Sequence, residues 1–188
     1  RFGYFELELD PENPTRYRVG DAFVPMRTRD VTIEVMVEPG VTEPVTRTLY
    51  ETEFGPVSVT DRLPWTAERA FAFAAPSGGL RIIDQYLAMY EADSVDALHA
   101  ALGRYQATAF NTMAVDAGGQ AFYGDMGLVP NVDTALVRRC ATSDIARGYW
   151  MQARIPILSA ADPTCRWNDA EDATAPGMFG PSDAPHLL

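Results

Sequence analysis

The side chains that could do chemistry in this chain of 188 residues are 26 carboxylates, 15 arginines, two histidines and two cysteines. Their spacing assembles no nucleophile with its base. There is no G-x-S-x-G elbow, no H-E-x-x-H pair, no P-loop and no G-x-G-x-x-G turn. His99 lies one position off the apolar stripe of its helix, which predicts a solvated surface histidine. His186 stands immediately before Leu187 and Leu188, a terminal position with no partner in the sequence. Glu6 and Glu8 alternate with apolar residues and are expected to face water on a strand. Asp169, Glu171 and Asp172 form an acidic group of the kind calcium favours, but the EF-hand spacing is missing. The expectation is a solvated acidic loop, with no cofactor and no metal. Cys140 and Cys165 read equally as one disulfide or as two unrelated buried thiols; a bridge closing that loop would contribute about 3 kcal/mol.

The bulk composition narrows the partners. A net charge of −11 argues against nucleic acid, which needs a basic footprint. No run is long and apolar enough to span a membrane as a helix. All basic residues are arginine, which reads as compositional bias. The chain opens at Arg1, inside an apolar-rich segment, so the expectation is a processed chain or a piece of a longer one.

Hydrophobic periodicity gives the elements. Phe5, Leu7 and Leu9 alternate with glutamates, predicting a strand that Pro11 and Pro14 end. Residues 17–24 read as a short hairpin about Gly20-Asp21. Val31, Ile33, Val35 and Val37 give the clearest strand signal, turned by Pro39-Gly40 and answered by residues 45–51. Phe71 and Phe73 mark another strand. Together residues 1–75 are expected to form an antiparallel meander with one solvated face. In residues 79–106 the period becomes helical. Leu80, Ile83 and Leu87, with Ile82, Tyr86 and Met89, predict a largely buried helix; Asp93 or Ser94 caps a second, striped by Val95, Leu98, Leu102 and Tyr105. Residues 109–132 predict a core hairpin turning at Asp116 to Gly119, covered on both faces, then a strand end at Pro130. Residues 133–188 are expected to be irregular. The order is α+β, in a single segment.

Three stretches then carry a resemblance. Thr48-Leu49-Tyr50-Glu51-Thr52-Glu53-Phe54-Gly55-Pro56-Val57, the block from Asn111-Thr112-Met113-Ala114-Val115-Asp116 through Tyr123 with Val129-Pro130, and Phe5 to Tyr17 with its Leu9-Asp10-Pro11 and Arg16-Tyr17 are similar, in order and spacing, to segments of the penicillin acylase family. The chain resembles most the branch of acyl-homoserine-lactone and aculeacin acylases, over nearly its whole length. What the resemblance implies is an exported N-terminal-nucleophile hydrolase with an αββα sandwich, placing the protein in the periplasm or outside the cell. Such an enzyme cuts itself into two chains. The α-amine of a serine that opens the second chain acts as base for its own hydroxyl, while a backbone N–H and an asparagine hold the oxyanion.

On that resemblance the serine belongs upstream of Arg1 and the asparagine beyond Leu188. Ser58, Ser77, Ser94, Ser143, Ser159 and Ser182 are internal, so no catalytic residue is expected in this segment, and the segment alone is expected to be inactive. The resemblance does imply a substrate-binding role for Tyr86, Ala109 and Phe110 as walls of an acyl pocket, with Phe110 and Asn111 at the cleft end of the hairpin. The family's usual tryptophan is missing here and the spacing is one residue shorter. Core packing is the competing account of these side chains. The resemblance also implies pairing of Cys140 with Cys165. The expected partners are an N-acylated small molecule and the remaining segments of the same precursor. A non-catalytic scaffold of the same ancestry is the alternative.

Overall fold

A computed structural model describes residues 2–76, 81–107, 110–183 and 186–187. In chain order its elements are β1 (Gly3–Asp10), β2 (Asn13–Val19), β3 (Ala22–Pro25), β4 (Arg27–Glu38), β5 (Val41–Thr52), β6 (Gly55–Ser58) and β7 (Arg69–Ala74). There follow α1 (Ile82–Glu91), α2 (Val95–Tyr105), β8 (Thr112–Val115), β9 (Ala121–Gly124), α3 (Thr134–Cys140), α4 (Asp144–Ala153), β10 (Ile157–Ser159) and β11 (His186–Leu187). The class is the expected α+β. The chain divides into two compact units. A sheet unit comprises Tyr4–Ala74 and Val137–Cys165, and a helical unit comprises Ala75–Leu136 and Arg166–Leu188 with the first three residues.

The sheet unit is built on an eight-stranded sheet in the order β3-β2-β1-β7-β6-β5-β4, with β10 running parallel to β1. It is not a simple meander, because β7 enters between β1 and β6. Phe5, Leu7, Leu9, Phe71, Ile157 and Leu158 are buried in its core. The Phe5 ring stacks on Phe54 at 4.5 Å, and Tyr17 meets Phe54 edge-on at 6.2 Å. The buried Tyr17 hydroxyl accepts from the Glu53 N–H. Thus Phe54, in the turn where β5 ends and β6 begins, also anchors neighbouring strands. Gly55 has φ +127°, and a Cβ there would overlap the carbonyl of Phe73.

The β4–β5 ribbon departs from the expectation of one solvated face. Its register pairs Ile33 with Val45, Val31 with Arg47 and Val35 with Glu43, and on the other face Thr32 with Thr46 and Asp30 with Thr48. Paired residues in an antiparallel ladder share a face. One face therefore carries the aliphatic side chains, with Arg29, Glu43 and Arg47 among them. The other is polar, with Thr32 and Thr46 hydroxyls 2.8 Å apart and Thr48 donating to Asp30 at 2.7 Å. Both faces are open: Ile33, Val37, Val41 and Leu49 are exposed, and Val31, Val35 and Val45 are only half-buried. At the far end the register slips between Met36 and Glu38, so Val37 and Glu38 together oppose Val41 as a β-bulge.

Two further expectations are corrected in this unit. Residues 133–165 are not irregular, since α3, α4 and β10 lie there. Ser143 caps α4, its hydroxyl accepting from the Ala146 N–H at 3.1 Å. The same hydroxyl donates to Glu6, which also takes an ion pair from Arg69 at 3.3 Å. Glu6 therefore faces the helix, not water, and only Glu8 is on the wet side, paired with Arg18. Cys140 and Cys165 are joined, with Cα atoms 5.5 Å apart, and both are buried.

The helical unit packs α1 and α2 with a three-stranded sheet ordered β11-β9-β8. Ser94 caps α2, accepting from the Ala97 N–H at 3.2 Å. Val95, Leu102, Phe122 and Met126 form its buried core, with Met89, Leu98 and Ala114 packed against them. His99 is not the solvated residue expected: it is half-buried, its ring 5.2 Å from Phe122. The hairpin turn falls where the sequence puts it, Asp116 N–H bonding Gln120 and Gly119 at φ +84°. Val129 to Val132 form no strand; Pro130 bridges Met178 alone.

Candidate functional site

The wall residues expected from the sequence all fall in the helical unit. Ala109 lies outside the described residues. Tyr86 stands on α1 and is 52% exposed, and Phe110, at the entrance to β8, is 70% exposed. Neither is a packed core residue in this chain.

That overturns two expectations. The helix α1 is not largely buried: Ile83, Tyr86, Leu87 and Tyr90 make an apolar stripe that faces outward. Nor is the hairpin covered on both faces. Phe122 and Gly124 point into the core, while Met113, Val115 and Tyr123 point out. The physical reason is the same in both places. The periodicity is there, but the inward face of α1 is set by Gln85 and Met89, and that of the hairpin by Phe122 and Ala114. The more apolar faces are left over.

Two glutamines that sequence reasoning passed over hold this region in place. Gln85 is fully buried in α1, and its Oε1 accepts from the backbone N–H of Ala107 at 2.7 Å. The bond fixes the helix turn that carries Tyr86 to the segment leading into Phe110. Gln106 ends α2 in the left-handed region at φ 46°. Its side chain is buried, donates to the Phe179 carbonyl at 3.2 Å, and accepts from the Thr174 hydroxyl at 3.0 Å. A left-handed, non-glycine residue is tolerated where its side chain is held this way. The available signal was a glutamine on the helix face opposite the apolar stripe. We expect Gln85→Met to cost about 1–3 kcal/mol, because it leaves the Ala107 N–H without its acceptor. Denaturant unfolding would read the cost, and hydrogen exchange would show faster exchange at Ala107.

Other polar groups serve the loops. Asp116 Oδ1 accepts from the Gln120 N–H at 3.0 Å and shapes the hairpin turn. Asn111 donates to the Tyr123 hydroxyl across the hairpin at 3.0 Å. In the acidic stretch, Asp169 accepts from the Gly177 N–H. The hydroxyl and backbone N–H of Ser182 bind the Asp172 carboxylate and hold its pKa below the usual value. These two carboxylates tie the 169–182 loop. Among the described residues no three His, Cys, Asp or Glu side chains stand together as metal ligands. In the sheet unit, burial, and then the nearby Tyr149, push the Tyr4 hydroxyl pKa up. A cleft of about 260 Å³ opens between α1, the start of α2 and β8, floored by Met89, Val95, Leu98 and Ala114 and rimmed by Asp93 and Asp116. Tyr86 and Phe110 are not among its lining residues.

An α+β fold with a motif-bearing hairpin agrees with what the whole sequence matches. Residues 1–188 fit the penicillin amidase family profile, and the chain belongs to that family. It is 33% identical over 192 aligned residues to the acyl-homoserine lactone acylase PvdQ of Pseudomonas syringae pv. tomato, covering 100% of this chain and 24% of that protein. It is 35% identical over 188 aligned residues to the aculeacin-A acylase of Actinoplanes utahensis, covering 98% of this chain and 23% of the relative. The chain thus spans about a quarter of the length of these relatives. Among solved structures, a thermostable penicillin G acylase from Alcaligenes faecalis matches with a TM-score of 0.61 at 16% identity, over 85% of this chain and 25% of that one. That likeness carries the fold.

Proposed function

We propose that this chain is part of an amidohydrolase that removes the acyl chain from an N-acylated small molecule, using an N-terminal serine that lies outside these 188 residues. The observation that carries the reading is the family match along the entire chain, joined to relatives named as acylases over the same span. The candidate substrates are acyl-homoserine lactones, acylated cyclic peptides and β-lactams. The serine's own α-amine would take the hydroxyl proton as the oxygen attacks the amide carbonyl and give it to the departing amine as the C–N bond breaks. The same amine would then deprotonate a water that attacks the acyl ester, releasing the carboxylic acid and restoring the serine hydroxyl. That cycle needs no cofactor. This segment supplies pocket wall, with Phe110 and Tyr86 facing the acyl chain, and by itself is inactive.

Two features support a place within a larger assembly. The outward stripe of α1 and the outward face of the β8–β9 hairpin leave large side chains in water, which a soluble protein normally covers. The buried Cys140–Cys165 bridge supports an oxidising compartment, the periplasm or the exterior. The partners we propose are the remaining segments of the same precursor and the N-acyl substrate.

The test is to express the protein carrying this chain and follow free amine release from N-acyl-homoserine lactones of graded chain length, a penicillin and an acylated cyclic peptide. Release from at least one class, from a protein whose second chain opens with serine, is the expected result. Binding without turnover would favour the scaffold reading instead. For the wall, we expect Phe110→Ala to change the ratio of kcat/KM between long and short acyl chains by roughly tenfold, the scale that a methylene or two commands in an apolar pocket. An unchanged ranking would remove Phe110 from the pocket.

A further inference from the structure

Two buried glutamines meet at one corner of the helical unit, and apolar packing does not account for either. Gln106 ends α2 at φ 46°, a conformation that glycine takes without steric cost. A glutamine keeps it where its side chain is held. Here the side chain is held by one loop: Nε2 donates to the Phe179 carbonyl at 3.2 Å, and Oε1 accepts from the Thr174 hydroxyl at 3.0 Å. The same loop lies hard against the last turn of α2, since a Cβ on Gly103 would come to 3.1 Å from Pro181. From the other side, Gln85 Oε1 takes the N–H of the next residue, Ala107, at 2.7 Å. Both glutamines are shut off from water, and a buried amide is costly unless it is bonded. Residues 106 and 107 are therefore clamped between α1 and the 174–181 loop.

We infer that this clamp sets the acyl-chain preference of the site, with Gln106 and Thr174 as positioning residues that act through Phe110. The inference rests on the wall role proposed for Phe110. That residue follows Ala107 by three positions, a tether of at most about 11 Å. On its other side the hairpin ladder begins at once. Thr112 pairs with Gly124, and Asn111 donates to the Tyr123 hydroxyl at 3.0 Å. Phe110 is thus carried between two anchored points, the ladder and the clamp. It is 70% exposed in this chain, so its backbone rather than packing of its ring places it here. Thr174 is remote from the wall in sequence, yet its hydroxyl bears on the wall's footing. In an apolar pocket, a displaced wall alters how many methylenes fit. The effect therefore falls on the ranking of chain lengths, not evenly on all substrates.

The experiment uses the processed protein carrying this chain and reads kcat/KM over N-acyl-homoserine lactones of graded chain length. Thr174→Val removes the hydroxyl and nearly keeps the shape. It should flatten the preference between long and short chains roughly threefold, less than a direct change of the wall. Thr174→Ser should keep the parent ranking. In a Phe110→Ala background Thr174→Val should add nothing, because residues that act through one another are not additive. Ser182→Ala loosens the same loop at Asp172 without touching Gln106 and should leave the ranking as it is. Hydrogen exchange gives a second readout that needs no turnover: Thr174→Val should speed exchange at the Ala107 amide. Unchanged exchange there overturns the inference, whatever the protein hydrolyses. So does an unchanged ranking in Thr174→Val where Phe110→Ala alters it, or an equal shift in Ser182→Ala. If Phe110→Ala itself alters nothing, or no substrate is turned over, the failure lies in the wall or acylase reading, and the inference falls with it.

Discussion

Gly55→Ala should destabilise the sheet unit by roughly 3–5 kcal/mol, the largest effect we expect from the addition of one methyl group. Two costs combine. Gly55 sits at φ +127°, a region that L-residues enter at a cost of about 1–3 kcal/mol. Its missing Cβ also points at the carbonyl of Phe73, where backbone rather than a movable side chain stands in the way. Making room would shift β6 from β7, whose register pairs Val57 with Ala72 and Ser58 with Phe71, and overpacking of this kind costs about 1–3 kcal/mol more. The neighbouring Phe54 holds Phe5 and Tyr17 together, so the disturbance reaches the core. Denaturant unfolding of Gly55→Ala beside Gly40→Ala checks the argument. Gly40 is also at positive φ, +82°, but has nothing within 4 Å of its would-be Cβ, so it reports the dihedral cost alone. Equal losses at the two positions would mean that the clash contributes nothing.

The second large effect is at the disulfide. Replacing Cys140 and Cys165 together by alanine should cost about 3 kcal/mol, the chain-entropy value for a loop of this length. The bridge spans 25 positions and encloses α4 and β10, so its loss frees in the unfolded state the segment that completes β1. Both sulfurs are buried. Reductant should therefore act slowly on the folded protein and quickly once denaturant is added. A lower unfolding midpoint in the double variant, and a mass gain of two hydrogens on reduction of the parent, are the measurements. An unchanged midpoint would show that packing around α4 holds the segment without the bridge.

What the sequence made legible was decided by how local the signal was. Strands β4 and β5, the Ser94 cap and the turn before Gly119 are specified by near neighbours, and they are where the residues put them. The α4 helix was hidden because Gly148 interrupts its run and only Ser143 announces it. Glu6 was misplaced because alternation tells which side of a strand a residue is on, while the helix that supplies Ser143 lies far along the chain. The outward stripe of α1 shows the same limit from the other side. Amphipathic spacing located Tyr86, yet the buried face follows Gln85, whose partner Ala107 lies beyond the next helix. As for the candidate site, the resemblance proposes wall positions, whereas the buried glutamines near them, Gln85 and Gln106, became visible only in three dimensions.

The parallel pairing of β10 with β1 has a consequence for how this chain reaches its fold. Tyr4 is partnered by Ile157, so the first strand waits for one of the last. A connection of that length makes the sheet unit a slow, non-local assembly, and during synthesis β1 is without its β10 partner while the intervening helices can already pack with their own hairpin. Until Ile157 arrives, the edge of β1 stays open to whatever strand is nearby. Once closed, the short loop between Cys140 and Cys165 narrows that search, presenting β10 as part of a compact piece rather than a free tail.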